Sequence, residues 1–285
     1  MGLPRGAFIL VAACPRDVLM LLPIGIALPH VTVNNMRMFY EDIGNPDRMP
    51  VFLLHGFTGT GVRDWGQHFS SFGERYRVLV PDLRGHGRTD NPAGAEAMTL
   101  KQFAVDIMAF CHALKIERAA FCGHSAGSML QLTLALLAPR LVAACILCSA
   151  GYFLSEEVRE WMRNQTPESL AEGDDPVNIE AYRASHVAQP DQWRTVQLAW
   201  LAMGEHAHAD DYPEPDDLRK ISAPTLIVSG DRDEYFPVEI GSHLYRTLAS
   251  TEFCVLPNTG HNIPTERAAW VDLIAFDFLR RKYES

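Results

Sequence analysis

From about residue 30 onward, the chain alternates short apolar runs with longer segments of helical periodicity. The runs lack the apolar–polar alternation of half-buried strands, which is typical of parallel strands buried on both faces. They lie at Val51–His55, Arg77–Pro81, Ala119–Gly123, Val142–Ser149, Thr225–Ser229 and Glu252–Leu256. Helical patterns lie at Leu100–Leu114, Ser125–Ala138, Val238–Leu248 and Thr265–Lys282. This order predicts an α/β protein with a doubly wound, mostly parallel sheet.

Two local signals add detail to this prediction. Val31–Asn34 and Arg37–Ile43 do alternate apolar and polar residues around Asn34-Asn35, which indicates an antiparallel hairpin at an edge of the sheet. Thr99 precedes the first long helical pattern and is a suitable N-cap.

The alternation of strands and helices stops between Gly151 and Asp217. This stretch is helical in pattern and acidic, with turn signals at Thr166-Pro167 and Pro213-Glu214-Pro215. So long a loop without structure is improbable in a compact domain. We therefore expect a helical cap, residues 151–217, inserted into a core formed by residues 30–150 and 218–285.

Size and charge exclude some classes of protein. The 285 residues, 47% of them hydrophobic, suffice for one large core. The net charge is −10, and only Arg280–Lys282 form a basic run, so nucleic-acid binding is disfavoured. The six cysteines show no disulfide framework, and Cys145 and Cys148 should point to opposite faces of one strand. The sequence therefore predicts reduced thiols and no metal site.

Residues 1–29 form an apolar arm whose role the pattern leaves open. Its stretches Ala7–Ala13 and Val18–Leu28 are shorter than the ~20 apolar residues that span a bilayer, so no stable membrane span is predicted. Val11-Ala12-Ala13-Cys14 resembles a lipoprotein cleavage box, although the apolar region before it is short. The alternatives are a start codon placed too early or an arm packed on the body. A cytoplasmic location is favoured over a signal or anchor, and no pattern specifies an oligomeric state.

Gly123-His124-Ser125-Ala126-Gly127 fits G-x-S-x-G between a predicted strand and a predicted helix. In that context the serine lies on a sharp, strained turn that exposes its hydroxyl, and small flanking residues allow close packing. The helix N-terminus adds partial positive charge where an acyl oxyanion would form. Ser125 is therefore the candidate nucleophile.

A glycine turn follows the first buried strand, at His55-Gly56-Phe57-Thr58-Gly59. Such a turn can direct a backbone N–H into a site, so the N–H groups of Phe57 and Ala126 are candidates for a two-donor oxyanion hole. The alternative is an ordinary turn between a strand and a loop.

A base and an acid follow the last two predicted strands. Gly260-His261 comes after the final strand, and Gly230-Asp231-Arg232-Asp233 comes after the strand before it. The order Ser, Asp, His suits a triad in which a carboxylate orients the imidazole and the imidazole accepts the serine proton. His261 is the candidate base, and the acid is Asp231 or Asp233.

Several motifs together resemble the α/β-hydrolase superfamily, in its esterase, lactonase and cofactor-free haloperoxidase-like branch. They are His55-Gly56-Phe57, Asp82–Asp90, Gly123–Gly127, Gly230–Asp233 with Pro237, and Gly260-His261, and the likeness runs from about Val31 to Tyr283. The resemblance implies the α/β-hydrolase fold, a serine hydrolase without cofactor, and Asp233 rather than Asp231 as the acid. It also implies a scaffold role for Asp82–Asp90. A serine nucleophile argues against the dehalogenase and epoxide-hydrolase branches, and Ser128 stands where many relatives carry a third glycine.

The predicted reaction is hydrolysis of small to medium apolar esters, with a small-molecule ester as the partner. Apolar side chains in the cap and near the turn of Ser125 favour an apolar pocket, although any one of them could instead attach the cap to the body. The candidate substrate-binding residues are Phe57, His124, Tyr152, Phe153, Trp161 and Trp200. The alternatives are cleavage of a carbon–carbon bond in a dienoate, opening of an enol-lactone, perhydrolysis, and, outside enzymes, a ligand-binding module.

Overall fold

The structure is a computed structural model that describes residues 8–10, 21–23, 29–172, 176–205 and 212–284. Within the predicted arm, two short strands, β1 (Phe8–Leu10) and β2 (Leu21–Pro23), pair in antiparallel fashion. The lipoprotein-like box at Cys14 lies outside the described residues. Over the part of the chain that is described, no helix is long and apolar enough to cross a membrane.

An eight-stranded sheet organises the rest of the described chain. Its strands are β3 (His30–Val33), β4 (Met36–Ile43), β5 (Pro50–Leu54), β6 (Arg77–Pro81), β7 (Ala119–His124), β8 (Val142–Cys148), β9 (Thr225–Gly230) and β10 (Thr251–Leu256). They lie in the order β10-β9-β8-β7-β5-β6-β4-β3. The six strands from β5 to β10 are parallel, and the β3–β4 hairpin is antiparallel at one edge. The predicted α/β class with a mostly parallel sheet is therefore confirmed.

Helices cover both faces of this sheet. They are α1 (Gly61–Trp65), α2 (Phe69–Gly73), α3 (Leu100–Ala113), α4 (Ala126–Leu137), α5 (Glu156–Arg163), α6 (Pro167–Glu172), α7 (Pro176–Ser185), α8 (Gln192–Glu205), α9 (Pro215–Leu218), α10 (Val238–Thr247), α11 (Ile263–Glu266) and α12 (Ala268–Lys282). Along β5, Phe52 and Leu54 join the core formed with α3 and α4, whereas Val51 and Leu53 join the core formed with α12. Burial on both faces explains why these strands are uninterrupted apolar runs in the sequence.

Most local predictions agree with the structure. Asn34 and Asn35 adopt positive φ of 46° and 60° at the turn of the predicted hairpin. The Thr99 side chain accepts a hydrogen bond from Gln102 N at 3.1 Å, which confirms it as the N-cap of α3. The single helix predicted from Thr265 to Lys282 is wrong at its start. Arg267 interrupts it, because this residue leaves helical geometry with φ −134° and ψ 38°; its guanidinium donates to Asn258 O.

The segment between β8 and β9 carries helices α5 to α8. It contacts the loop after β6, where Val187 N donates to Gly87 O at 2.9 Å and Gln192 Nε2 donates to Thr89 O at 2.9 Å. That loop lies at the carboxyl ends of the parallel strands. The helical segment therefore lies beside the edge of the sheet from which the candidate site residues extend.

Candidate active site

Ser125 lies at the junction of β7 and α4 with φ 52° and ψ −117°, a conformation that non-glycine residues rarely adopt. Its N–H donates to Cys148 O at 2.9 Å, and its carbonyl accepts from Ser128 N and Met129 N at 2.8 and 3.0 Å. The backbone on both sides of the serine is therefore fixed. The strained turn directs the side chain away from the sheet and leaves it partly exposed.

The turn depends on two glycines. A Cβ on Gly123 would lie 2.4 Å from the carbonyl of Gly127, and a Cβ on Gly127 would lie 2.3 Å from Leu54 O. Both neighbours are backbone atoms that cannot rotate away, so only glycine fits at these positions.

We expect Gly127→Ala to lower the free energy of unfolding by about 3 kcal/mol, because the added methyl overlaps the backbone of β5. Denaturant unfolding measures the change. Gly66→Ala is the matched control, since a Cβ there would meet nothing nearer than Val62 Cγ1 at 3.7 Å. Equal unfolding midpoints for Gly127→Ala and Gly66→Ala would contradict this close packing.

An acid and an imidazole meet at the ends of β9 and β10. His261 Nδ1 lies 2.9 Å from Asp233 Oδ1 and 3.0 Å from Oδ2. Asp233 is buried, and its Oδ1 also accepts from the N–H groups of Tyr235 and Phe236 at 3.0 Å each. Asp231, the other carboxylate of the turn, instead accepts from Thr259 N at 3.0 Å and is exposed.

The charges of this pair follow from its contacts. Burial opposes ionisation of Asp233, but the hydrogen bond and the charge of His261 and the N–H of Phe236 outweigh it and lower the pKa of Asp233. Burial also lowers the pKa of His261, and Asp233 only partly opposes this effect. The carboxylate is thus ionised and holds Nδ1–H, which leaves Nε2 of His261 as the free proton acceptor.

The backbone of His261 is bonded to residues at the ends of β7 and β8. Its carbonyl accepts from Ser149 Oγ at 2.6 Å and contacts His124 Nε2 at 3.0 Å. The rings of His124 and His261 lie 5.1 Å apart. Among the hydrogen bonds of the described residues, none joins the Ser125 hydroxyl to His261. The structure thus brings the imidazole beside the serine turn and bonds it directly to Asp233.

The two candidate oxyanion donors lie in neighbouring parts of the chain's fold, one directly after Ser125 and one in the turn after β5. Ala126 is the first residue of α4, and Phe57 lies in the turn after β5, where Gly59 N donates to Gly56 O at 3.0 Å. Neither the Phe57 N–H nor the Ala126 N–H donates to another described residue. The Phe57 ring is 3% exposed and packs against His86 and Phe103, so it belongs to the core.

Aromatic rings extend from the helical segment to the imidazole. Tyr235 lies 4.7 Å from the His261 ring, and Trp161 and Trp200 lie 5.7 and 6.3 Å from Tyr235. Trp161 is 41% exposed and Trp200 is partly buried. Two of the predicted substrate-binding residues therefore lie in one aromatic cluster with the imidazole.

The other candidates for substrate binding lie differently. Tyr152 stacks on His243 of α10 at 5.4 Å and meets Phe153 at 4.7 Å, and Phe153 is 37% exposed. The ring of His124 is buried, with a polar protein atom within 3.0 Å of each nitrogen. The structure thus places Tyr152 against α10 and His124 beneath the turn.

Sequence reasoning missed three residues at this site. Tyr235 contacts the imidazole, Ser149 donates to its backbone, and Asp64 bonds to His124. Tyr235 had a usable signal, because it follows Asp233 by two positions. Ser149 ends the predicted strand that follows Ser125 in the sequence, which is a weak signal. Asp64 has no local sequence signal that would mark it as a site residue.

Comparison with known proteins agrees with the fold. The family model of the alpha/beta hydrolase fold matches residues 49–268. The chain is 24% identical over 267 residues to the uncharacterized hydrolase YugF of Bacillus subtilis, an alignment that covers 87% of this chain and 96% of that protein. The chain therefore belongs to the alpha/beta hydrolase family.

Solved structures show the same likeness. The enol-lactonase from Burkholderia xenovorans LB400 superposes with a TM-score of 0.73 at 25% identity, over 88% of this chain and 100% of that one. A thermophilic esterase from Thermogutta terrifontis gives 0.72 at 26% identity, over 90% and 98% of the two chains. The family and these relatives support hydrolase activity.

Proposed function

We propose that this hydrolase cleaves carboxylic esters through an acyl-enzyme on Ser125. The observation that carries the proposal is the contact of both Asp233 oxygens with His261 Nδ1, beside a serine held at positive φ. Asp233 is the acid in this proposal, because Asp231 bonds to Thr259 N instead.

In the first half of the reaction, His261 Nε2 accepts the proton of Ser125 as Oγ bonds to the ester carbonyl carbon. The carbonyl electrons move onto oxygen, and the N–H groups of Phe57 and Ala126 donate to that oxyanion. Asp233 stabilises the imidazolium. Catalytic hydrogen bonds often shorten only when substrate is bound, so the Ser125–His261 bond is expected to form in the complex.

The ester carbon–oxygen bond then breaks, and His261 returns its proton to the departing alcohol. Water repeats the sequence: His261 removes its proton, the hydroxide adds to the acyl carbon, and Ser125 leaves with the proton. Nucleophile, base, acid and oxyanion donors are all protein groups, so the proposed reaction uses neither a metal nor an organic cofactor.

The helical segment 151–217 acts as a cap in this proposal, and a small molecule is the substrate. The cluster of Trp161, Trp200 and Tyr235 beside His261 supports an apolar acyl or alcohol group. The ring of Phe57 lies in the core, that of Tyr152 stacks on His243 of α10, and that of Phe153 contacts Tyr152, so we expect these three residues to affect substrate choice less. A cytoplasmic location stays a prediction of the sequence.

Hydrolysis of an enol-lactone is the second candidate, because the solved enol-lactonase covers 88% of the chain at 25% identity. An enol-lactone is a cyclic ester, so the same serine, base and oxyanion donors would open it. The two candidates differ in the substrate that the pocket accepts, not in the chemistry at the acyl carbon.

A substrate panel tests the proposal and ranks the candidates. It contains p-nitrophenyl esters of increasing acyl length, an enol-lactone, a dienoate ring-cleavage product, and an acetate–peroxide mixture for perhydrolysis. We expect kcat/KM to be highest for an apolar ester of small to medium length. Absence of turnover on every ester, with turnover on the dienoate alone, would contradict ester hydrolysis.

The pH dependence of kcat/KM follows from the imidazole. His261 must be neutral to accept the serine proton, and burial lowers its pKa from the usual 6.5. Protonation inactivates the base, so the rate should be full at neutral pH and fall only as the pH drops through this lowered pKa. We expect the midpoint of the acid limb below pH 6.5 in a profile of kcat/KM. A midpoint above that value would contradict the predicted effect of burial.

A further inference from the structure

A second buried pair of a carboxylate and an imidazole lies beside the first. Asp64, in α1, places Oδ2 2.8 Å from Nδ1 of His124, the residue that precedes Ser125. The two residues are 9% and 5% exposed. Neither has a role in the acyl transfer described above.

The contacts of this pair fix its protonation. The Nδ1 of His124 faces the carboxylate of Asp64, and its Nε2 faces the carbonyl of His261 at 3.0 Å. Asp64 Oδ2 also accepts from Gly56 N at 2.7 Å, which favours the ionised carboxylate. Carboxylate and carbonyl oxygens only accept, so both ring nitrogens of His124 must donate. An imidazole that donates from both nitrogens is an imidazolium.

The electrostatic surroundings agree with this protonation. Burial alone would lower the pKa of His124, but the hydrogen bond and charge of Asp64 raise it above the usual value. Burial would raise the pKa of Asp64, but His124 and the N–H of Gly56 hold it below its usual value. Among the described residues, Asp233 and the backbone of His261 also act on His124, from the loops after β9 and β10, and His55 acts on Asp64.

The pair joins three segments whose relative positions matter for the proposed reaction. Asp64 holds the turn after β5 through Gly56 N, His124 belongs to the serine turn, and His124 also holds the carbonyl of His261. A displacement of about 1 Å between such groups can lower a rate about 10²-fold.

We propose that Asp64 and His124 form a charged positioning pair that fixes the loop of His261 against the serine turn and against the turn after β5 that carries Phe57. The inference rests on the proposed function, because it assigns the pair a role around Ser125 and His261. The positive charge of His124 also disfavours a proton on His261, whereas the negative charge of Asp64 favours one and has the smaller effect.

Two single variants and one double variant test the pair. In His124→Gln and Asp64→Asn we expect kcat about 10- to 100-fold lower with KM changed less than about threefold, since only positioning is lost. In His124→Gln the acid limb of kcat/KM should move to higher pH, because the imidazolium charge beside His261 is gone while the Asp64 carboxylate, which favours a proton on His261, remains. His112→Gln, at an exposed position near the end of α3, is the matched control and should behave as the wild type.

The double variant Asp64→Asn/His124→Gln separates hydrogen bonding from charge. Two amides can still bond to each other and to the His261 carbonyl, so part of the lost kcat should return relative to His124→Gln. The acid limb should lie between those of the wild type and His124→Gln, because the charges of both His124 and Asp64, which act on His261 in opposite directions, are absent. A rate loss in His124→Gln with an unmoved acid limb would overturn the proposal, because a merely structural role predicts that result. Wild-type kcat in both single variants would overturn it as well.

A measurement on the unaltered protein keeps the proposal testable if the variants fail to fold. Histidine ¹⁵N shifts, correlated through bonds to the His124 backbone, report how many ring nitrogens carry a proton. We expect both nitrogens to be protonated at pH 8, and a neutral ring at that pH would overturn the proposal. Reaction of the wild type with a fluorophosphonate tests the nucleophile separately, so failure of the ester hydrolase would be distinguished from failure of the pair.

Discussion

Ser125→Ala should lower kcat for the best ester by about 10⁴- to 10⁶-fold, the largest effect expected of any single substitution. The hydroxyl is the atom that bonds to the acyl carbon, and Ser125 alone occupies the positive-φ turn between β7 and α4. Removing one hydroxyl oxygen leaves the glycine packing and the backbone hydrogen bonds of the turn in place. Thermal unfolding should therefore change little while turnover is lost.

The control for this variant is Ser70→Ala, at an exposed position on α2. Its kcat should match that of the wild type. Retention of more than about one tenth of wild-type kcat by purified Ser125→Ala would contradict a nucleophilic role for Ser125.

Asp233→Asn should lower kcat by about 10⁴-fold. The amide oxygen that this substitution leaves in place can still accept from Tyr235 N and Phe236 N, so the turn should keep its shape. The charge that holds Nδ1–H of His261 would be lost, and the imidazole could adopt the tautomer whose Nε2 already carries a proton. Steady-state kinetics of the variant measure this loss.

Asp231→Asn is the matched control, because it changes the neighbouring carboxylate in the same way. Asp231 is exposed and bonds only to the backbone near Thr259, so kcat should stay within about threefold of the wild-type value. If the two variants exchanged these results, Asp231 would be the acid. Equal, small losses in both would contradict a triad at this position.

The sheet could be predicted from the sequence because burial on both faces gives an uninterrupted apolar run. Phe52 and Val51 enter opposite cores, so each position of β5 must be apolar. The same logic predicted that Cys145 and Cys148 face opposite sides, and each enters a different core. The break at Arg267 was not predicted, because no local pattern marks the residue that leaves helical geometry and donates to Asn258 O.

The candidate site could be predicted only where a local motif marks the residue. Ser125, Asp233 and His261 each follow a strand at a glycine turn, so their neighbourhood is set by strand order. Asp64 lies 60 positions before His124, and only the packing of α1 against the site brings them together.

Side-chain direction limited the prediction of the pocket. Composition identified Tyr152 and Trp200 equally as apolar residues near the site. The structure stacks Tyr152 on His243 and places Trp200 against Tyr235. The face of a loop or helix on which a ring lies depends on tertiary packing, and no local pattern in the helical segment predicts it.

Trapping the acyl-enzyme tests the central proposal most directly. The protein is quenched in acid during steady-state turnover of a p-nitrophenyl ester, and its mass is measured before and after digestion. We expect the intact mass to rise by one acyl group, carried by the peptide that contains Ser125, and Ser125→Ala to show no increase. Turnover of the ester by the wild type with the acyl group on another residue, or a Ser125→Ala protein that still acylates, would contradict the account.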